Sequence, residues 1–201
     1  MLRLILGGSL AVLTAGMADA GDPPSIQIEA PREWRAETIE LPPGFAPDMK
    51  LKGVEEIRFA PGMLQADSDS FFSYFLVFAL PEQKSLDEET LQRELLVYYR
   101  GLASAVAGGK NVEIDVDKFT LELEKVEPED ADDAPREWTG TLKWVEPFVT
   151  VKAQTLRFDI QTGTLEGGEG VYITMCASPA DREADIWQEL HSVRETVEFR
   201  E

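Results

Sequence analysis

Apolar positions recur along this chain with two periods, and the two periods separate strands from helices. The most apolar internal stretch is Phe71 to Leu80 (FFSYFLVFAL). Its aromatic and β-branched content favours a strand over a helix. Alternation puts Phe75, Val77 and Ala79 on one face and Tyr74, Leu76, Phe78 and Leu80 on the other. A strand that is apolar on both faces belongs inside a sheet with cover above and below. Gly170 to Ala177 reads the same way, with Val171, Ile173 and Met175 opposing Tyr172, Thr174 and Cys176. Thr155 to Ile160 alternates differently. Leu156, Phe158 and Ile160 form a dry face against Thr155, Arg157 and Asp159.

Shorter strands are expected at Glu33–Leu41 and Val54–Phe59, ended by Pro42-Pro43-Gly44 and Pro61-Gly62. Trp138–Val145 is another. Val112–Val126 changes parity: Val112, Ile114 and Val116 share one frame, and Phe119, Leu121 and Leu123 the other. A bulge or turn near Asp117-Lys118 reconciles them.

Helical spacing appears twice. Ser85 to Val106 carries Leu91, Leu95, Tyr98, Leu102 and Val106 on one stripe. Ser85 and Glu88 form an S-x-x-E capping box, and Gly108-Gly109 supplies a stop. The second helix is expected to start at Ser178-Pro179, with Ile186, Leu190, Val193 and Val197 as its apolar stripe.

The order β-β-β-α-β-β-β-β-α joins most strands by hairpins, so the sheet should be mostly antiparallel. The expected fold is α+β: about six strands and two main helices, arranged as an α/β/α sandwich. Val171–Ala177 followed by Ser178–Phe199 resembles the ending of Mog1/PsbP-like domains, and that resemblance implies the same sandwich but no function. GVEEIRFAPGM (Gly53–Met63) with FFSYFLVF (Phe71–Phe78) is similar to segments of secreted bacterial proteins that have no assigned activity.

The first residues, MLRLILGGSLAVLTAGMADA, have the form of an export signal. Arg3 is the positive end, Leu4 to Met17 the apolar core, and Ala18-Asp19-Ala20 the cleavage pattern, so residues 1–20 are expected to be removed before Gly21. The apolar core is short for a membrane span. Residues 21–31 then form a Pro-rich flexible leader, and residues 32–201 one domain. The expected location is periplasmic or secreted, with no membrane insertion once the signal is gone.

Charge narrows the partners. With 38 acidic and 19 basic residues the net charge is −19, which disfavours nucleic acid and anionic lipid surfaces. One Cys and one His exclude an internal disulfide, multi-cysteine metal sites and multi-histidine centres. No phosphate loop, G-x-S-x-G or H-E-x-x-H motif occurs, and no cofactor is implied.

The candidate site residues are few. Glu55 shares a strand face with Ile57 and Phe59, while Glu56 and Arg58 share the other. A carboxylate turned toward the core has a raised pKa or an Arg partner. Trp138 and Trp144 share parity across Gly140 and could form a flat platform for a sugar or aromatic ligand. Asp67 and Asp69 sit in a D-S-D-S stretch that resembles half of a calcium loop without its glycine and closing glutamate. Glu127 to Pro135 is an acidic loop. Cys176 reads as a buried apolar residue and His191 as a partly exposed helix residue. The leading function is an exported, non-catalytic domain that binds a partner or small ligand. The alternatives are a carboxylate-based hydrolase acting on carbohydrate or a related substrate and a carrier of an apolar ligand, with a cavity between helix and sheet.

Overall fold

The computed structural model describes residues 25–126, 135–168 and 170–200. The export signal and nearly all of the acidic loop lie outside the described residues.

The elements run β1 (Ser25–Gln27), β2 (Arg35–Leu41), β3 (Gly53–Phe59), β4 (Tyr74–Leu80), α1 (Glu88–Lys110), β5 (Thr120–Val126), β6 (Arg136–Glu146), β7 (Lys152–Thr164), β8 (Val171–Ser178), α2 (Ile186–Arg194) and β9 (Glu198–Arg200). Seven strands form one sheet in the order β2-β3-β4-β8-β7-β6-β5, and β1 pairs with β9 in a separate ribbon. Every pairing is antiparallel. The fold is α+β, and the main sheet holds the seven strands of the expected order.

All seven residues of β4 are buried, and β4 lies between β3 and β8. Its two faces feed two cores, as the alternation requires. Tyr74, Leu76, Phe78 and Leu80 pack with Leu91, Leu95, Tyr98 and Tyr99 of α1. Phe75 and Val77 pack with Cys176 and with Ile186, Trp187 and Leu190 of α2. One helix therefore lies against each face. Ile173 and Met175 follow the α1 face, as do Leu156, Phe158 and Ile160 of β7.

The loop before β3 is held close to α1. A Cβ on Gly101 would meet the Phe45 carbonyl oxygen at 2.3 Å, so only glycine allows this approach. Glu94 of α1, buried, accepts from the backbone N–H groups of Lys50 at 2.5 Å and Leu51 at 3.3 Å. Neither contact shows in a helical pattern, because both depend on a remote loop.

Several local expectations are corrected. The strand begins at Tyr74, not Phe71, because Phe72 has a positive φ of 50° and turns its ring in against Tyr74 and Trp144. The first helix begins at Glu88. Its cap is Asp87, whose side chain accepts from Thr90 N–H at 2.8 Å, so Ser85 and Glu88 form no capping box. The helix also passes through Gly108-Gly109 and ends on Asn111 in the left-handed region. The parity change before β5 is a single 3₁₀ turn at Val116–Lys118, and the preceding residues form no strand.

Ser178 does not start the second helix. It closes β8, and its hydroxyl bonds Ser73 Oγ at 2.8 Å and accepts from Ala180 N–H at 3.1 Å. Turns carry the chain to Ile186. The described part of the 21–31 leader is also not loose. Ile26 pairs with Phe199, Ile26 and Ile28 pack on the α2 core, and Thr196 Oγ1 accepts from Glu29 N–H at 3.0 Å.

Two outcomes follow for denaturant titration. Phe75→Ala, which opens the interior of a closed core, should destabilise by about 3–5 kcal/mol. Asp87→Ala should lower the unfolding midpoint, and Ser85→Ala should leave it unchanged; the opposite ranking would contradict the cap.

Candidate functional site

Of the residues singled out in the sequence, Glu55 is the most unusual. Its carboxylate is fully buried on the α1 side of β3. Oε1 accepts from the Tyr98 hydroxyl at 2.9 Å, and Oε2 has no hydrogen-bond partner among the described residues. Tyr74 and Tyr99 share a hydroxyl–hydroxyl bond close by. Burial pushes the Glu55 carboxyl up to about 7; the Tyr98 hydrogen bond opposes the rise, and the charge of Glu37 on β2 adds to it. Burial likewise raises Tyr98 and Tyr99. The other two buried glutamates differ. Glu94 has its two backbone donors and Arg93, and Glu146 accepts from Val149 and Thr150 N–H groups in the β6–β7 turn. Both are satisfied structural anchors. Glu55 faces packed side chains, not a cleft, so the hydrolase geometry of two facing carboxyls is not assembled around it.

Glu56 and Arg58 emerge on the opposite face and pair at 2.9 Å, with Thr38 Oγ1 donating to Glu56 at 2.5 Å. Trp138 and Trp144 do not form an open platform. Both are buried in the α1 core, and the Phe158 ring lies over Gly140 between them, where a Cβ would meet it at 2.9 Å. Asp67 and Asp69 are exposed. Their turn is closed by Ser68 and Ser70, whose hydroxyls lie 3.0 Å apart. Among the described residues no group of three or more His, Cys, Asp or Glu side chains could hold a metal ion. Phe72, Tyr74 and Phe78 pack against neighbouring rings.

The sheet positions a second polar group that sequence reasoning missed. On the α2 face, α2 lies mainly over β8 and β4. The same face of β7, β6 and β5 carries polar residues in rows. Glu124, Thr139, Asp159 and Cys176 are register neighbours across four strands, and Glu122, Thr141 and Arg157 form the adjacent row. We refer to this surface as the shelf.

Asp159 is its anchor. His191 Nε2 lies 2.8 Å from Asp159 Oδ2, and Arg182 pairs with Oδ1. Arg182 also donates to the Phe158 carbonyl at 2.8 Å and stands 4.4 Å from the Trp187 ring. The arrangement fixes the guanidinium on three sides. Arg157 donates to the Pro179 carbonyl at 2.6 Å and pairs with Asp181 at 3.0 Å. Two depressions of about 260 Å³ each open here: one is lined by Asp159, His191, Arg194 and Thr139, the other by Glu122, Glu124, Thr139, Thr141, Arg157 and Arg182. The one available signal was the alternation that put Arg157 and Asp159 on the wet face of β7.

The shelf presents no activated nucleophile among the described residues. His191 hydrogen-bonds to Asp159 and to no hydroxyl or thiol among the described residues. Cys176, beside Asp159 in register, is buried, and burial pushes its thiol up to about 12, so no thiolate forms near neutral pH.

Glu55 yields a pH prediction. Its folded pKa lies above the ordinary 4.5, so the folded state holds the proton more tightly than the unfolded chain. Its effect on stability is therefore neutral below 4.5 and turns unfavourable as pH rises toward 7, by an amount on the order of 3 kcal/mol. Glu55→Gln should remove that fall, so the variant is more stable than the native protein at pH 8 and the advantage vanishes at pH 4. Equal denaturation midpoints at both pH values would contradict the burial argument. Comparison of the chain with family models, curated proteins and solved structures finds no match.

Proposed function

We propose that this protein is an exported, non-catalytic binding domain, and that its shelf takes a partner segment bearing basic side chains. The observation that carries the reading is the state of the shelf's charges. Arg157 and Arg182 are paired with Asp181 and Asp159, and Arg194, beside His191 at the α2 end of the shelf, forms no ion pair among the described residues. Glu122 and Glu124 on the edge strand β5 are exposed and form no ion pair among the described residues. The uncompensated charge along that edge is negative, in a chain of net charge −19. Cationic partners are steered to such a surface, and the fixed Asp159–Arg182–His191 group supplies a rigid border.

The export reading rests on the residue pattern of 1–20 and on the A-x-A sequence before Gly21. The layering, with one helix against each sheet face, supports the Mog1/PsbP-like sandwich as the fold type, and a fold of that type carries no function by itself.

A short lysine- and serine-rich peptide is the probe. Titrated into the ¹⁵N-labelled protein at low salt, it should shift amides of Glu122, Glu124, Thr139, Thr141 and Asp159 together. Binding should weaken steeply with added salt. The double variant Glu122→Gln, Glu124→Gln should lose most of the affinity while Glu56→Gln, on β3 toward the opposite side of the sheet, keeps it. Shifts scattered over the whole acidic surface, or unaffected by the double variant, would overturn the assignment.

A further inference from the structure

The two outer edges of the main sheet differ in what meets them. β5 and β2 are the edge strands, and an edge strand carries a row of backbone N–H and C=O groups that its sheet leaves unpaired. On the β5 side, α1 caps the start of that row. Gln92 donates to the Leu121 carbonyl, and Arg100 donates to the Phe119 carbonyl at 3.2 Å. β2 has no such cover. Arg35 to Glu40 are exposed apart from the partly buried Ile39, and no hydrogen bond reaches the outer side of β2 among the described residues.

The ladder identifies the free groups. Ala60 N–H donates to the Ser73 carbonyl at 3.1 Å, and the β3–β4 register continues from this pair without a break. Antiparallel pairs bond in alternation, so Arg58, Glu56 and Val54 turn their backbone groups to β4. Phe59, Ile57, Glu55 and Gly53 therefore turn theirs to β2, where they meet Arg35, Glu37, Ile39 and Leu41. Ala36, Thr38 and Glu40 are left with N–H and C=O groups directed away from the sheet. Spaced at every second position, these groups form the pattern that an added strand completes. Edges are commonly guarded by a proline or a bulge. β2 contains no proline, and its register with β3 is unbroken.

What guards β2 is charge, and the charge selects the partner. Glu37 and Glu40 form no ion pair among the described residues, whereas Arg35 is drawn over the Phe59 ring, 5.8 Å from its centre. Glu37 stands on the α1 face and Glu40 on the other, with Thr38 and Ile39 between them. Opposite charges stabilise a strand pair and like charges directly opposite destabilise it. A second copy is disfavoured, because it would bring another net charge of −19 to this edge. We propose that β2 accepts, as an eighth strand of the sheet, an extended segment of another protein. That segment carries basic residues opposite Glu37 and Glu40 and β-branched residues opposite Thr38 and Ile39. In antiparallel register it reads Lys-Val-Thr-Lys. The site is separate from the shelf, which reaches β5 at the other end of the sheet.

The probe is the peptide acetyl-Val-Lys-Val-Thr-Lys-Thr-amide, titrated into the ¹⁵N-labelled protein. It should shift the amides of Ala36, Thr38 and Glu40 and slow their exchange with solvent. In this register the second, fourth and sixth peptide residues face β2, so N-methylation of those three should abolish binding. N-methylation of the first, third and fifth should be tolerated. Replacing both lysines of the peptide by glutamate, or Glu37→Gln with Glu40→Gln in the protein, should weaken binding about tenfold. Thr38→Pro removes an outward N–H without removing a β2–β3 bond and should weaken binding, with remote amide shifts unchanged. Thr38→Val loses the same hydroxyl but keeps the N–H, and should bind as the native protein does. Glu122→Gln with Glu124→Gln should leave this peptide unaffected, which separates its site from the shelf. Equal binding of the two N-methylated peptides, or shifts centred on Glu122 and Glu124, would overturn the proposal. A dimer in sedimentation that Thr38→Pro dissolves would assign the edge to a second copy and overturn it equally.

Discussion

The structure depends on the burial of β4 from both sides. A strand with seven buried residues has no face to offer water, so each face must meet a separate layer. Tyr74, Leu76, Phe78 and Leu80 require α1, and Phe75 and Val77 require α2. The hydrophobic effect is proportional to area and has no direction, but strand alternation gives it one. It sorts the apolar side chains into two cores and thereby fixes where the helices can lie.

The two layers differ in size, and the polar shelf follows from that difference. α1 has 23 residues and α2 only nine. At 1.5 Å per residue the second helix is about 14 Å long, whereas seven strands roughly 4.8 Å apart span about 29 Å. α2 cannot cover the sheet in either direction. The β1–β9 ribbon extends its cover where Phe199 stacks on Tyr172 at 4.8 Å, and the strands beyond β8 face solvent. Thr139, Arg157 and Asp159 are polar because they occupy that uncovered surface, and the shelf is the margin of the second core.

Buried carboxylates show how similar residues acquire different roles. Glu94, Glu146 and Glu55 are all enclosed. The first two accept from backbone N–H groups of neighbouring loops and hold those loops in place. Glu55 has one tyrosine donor and one oxygen without a partner among the described residues, so burial dominates its titration. Strand parity alone directed Glu55 toward the core. The number of its donors depended on which helix and loop arrived above it.

Sequence periodicity determined the seven strands of the main sheet, their faces, the antiparallel pairing and the double burial of β4, because a period of two carries side-chain direction without reference to distant residues; the short β1 and β9 were not legible in it. It also put Glu56 beside Arg58 and sent Glu55 the other way. Helix ends were less legible: Ser85 and Asp87 both qualify as caps, and which one captures an N–H depends on the path of the approaching chain. The rest was decided by tertiary structure. Ser178 closes a strand because Ser73 lies beside it, Trp138 and Trp144 are core because Phe158 fills the space at Gly140, and His191 meets Asp159 from 32 positions further along the chain. Such contacts join residues whose local patterns are independent, so only the packed chain brings them together.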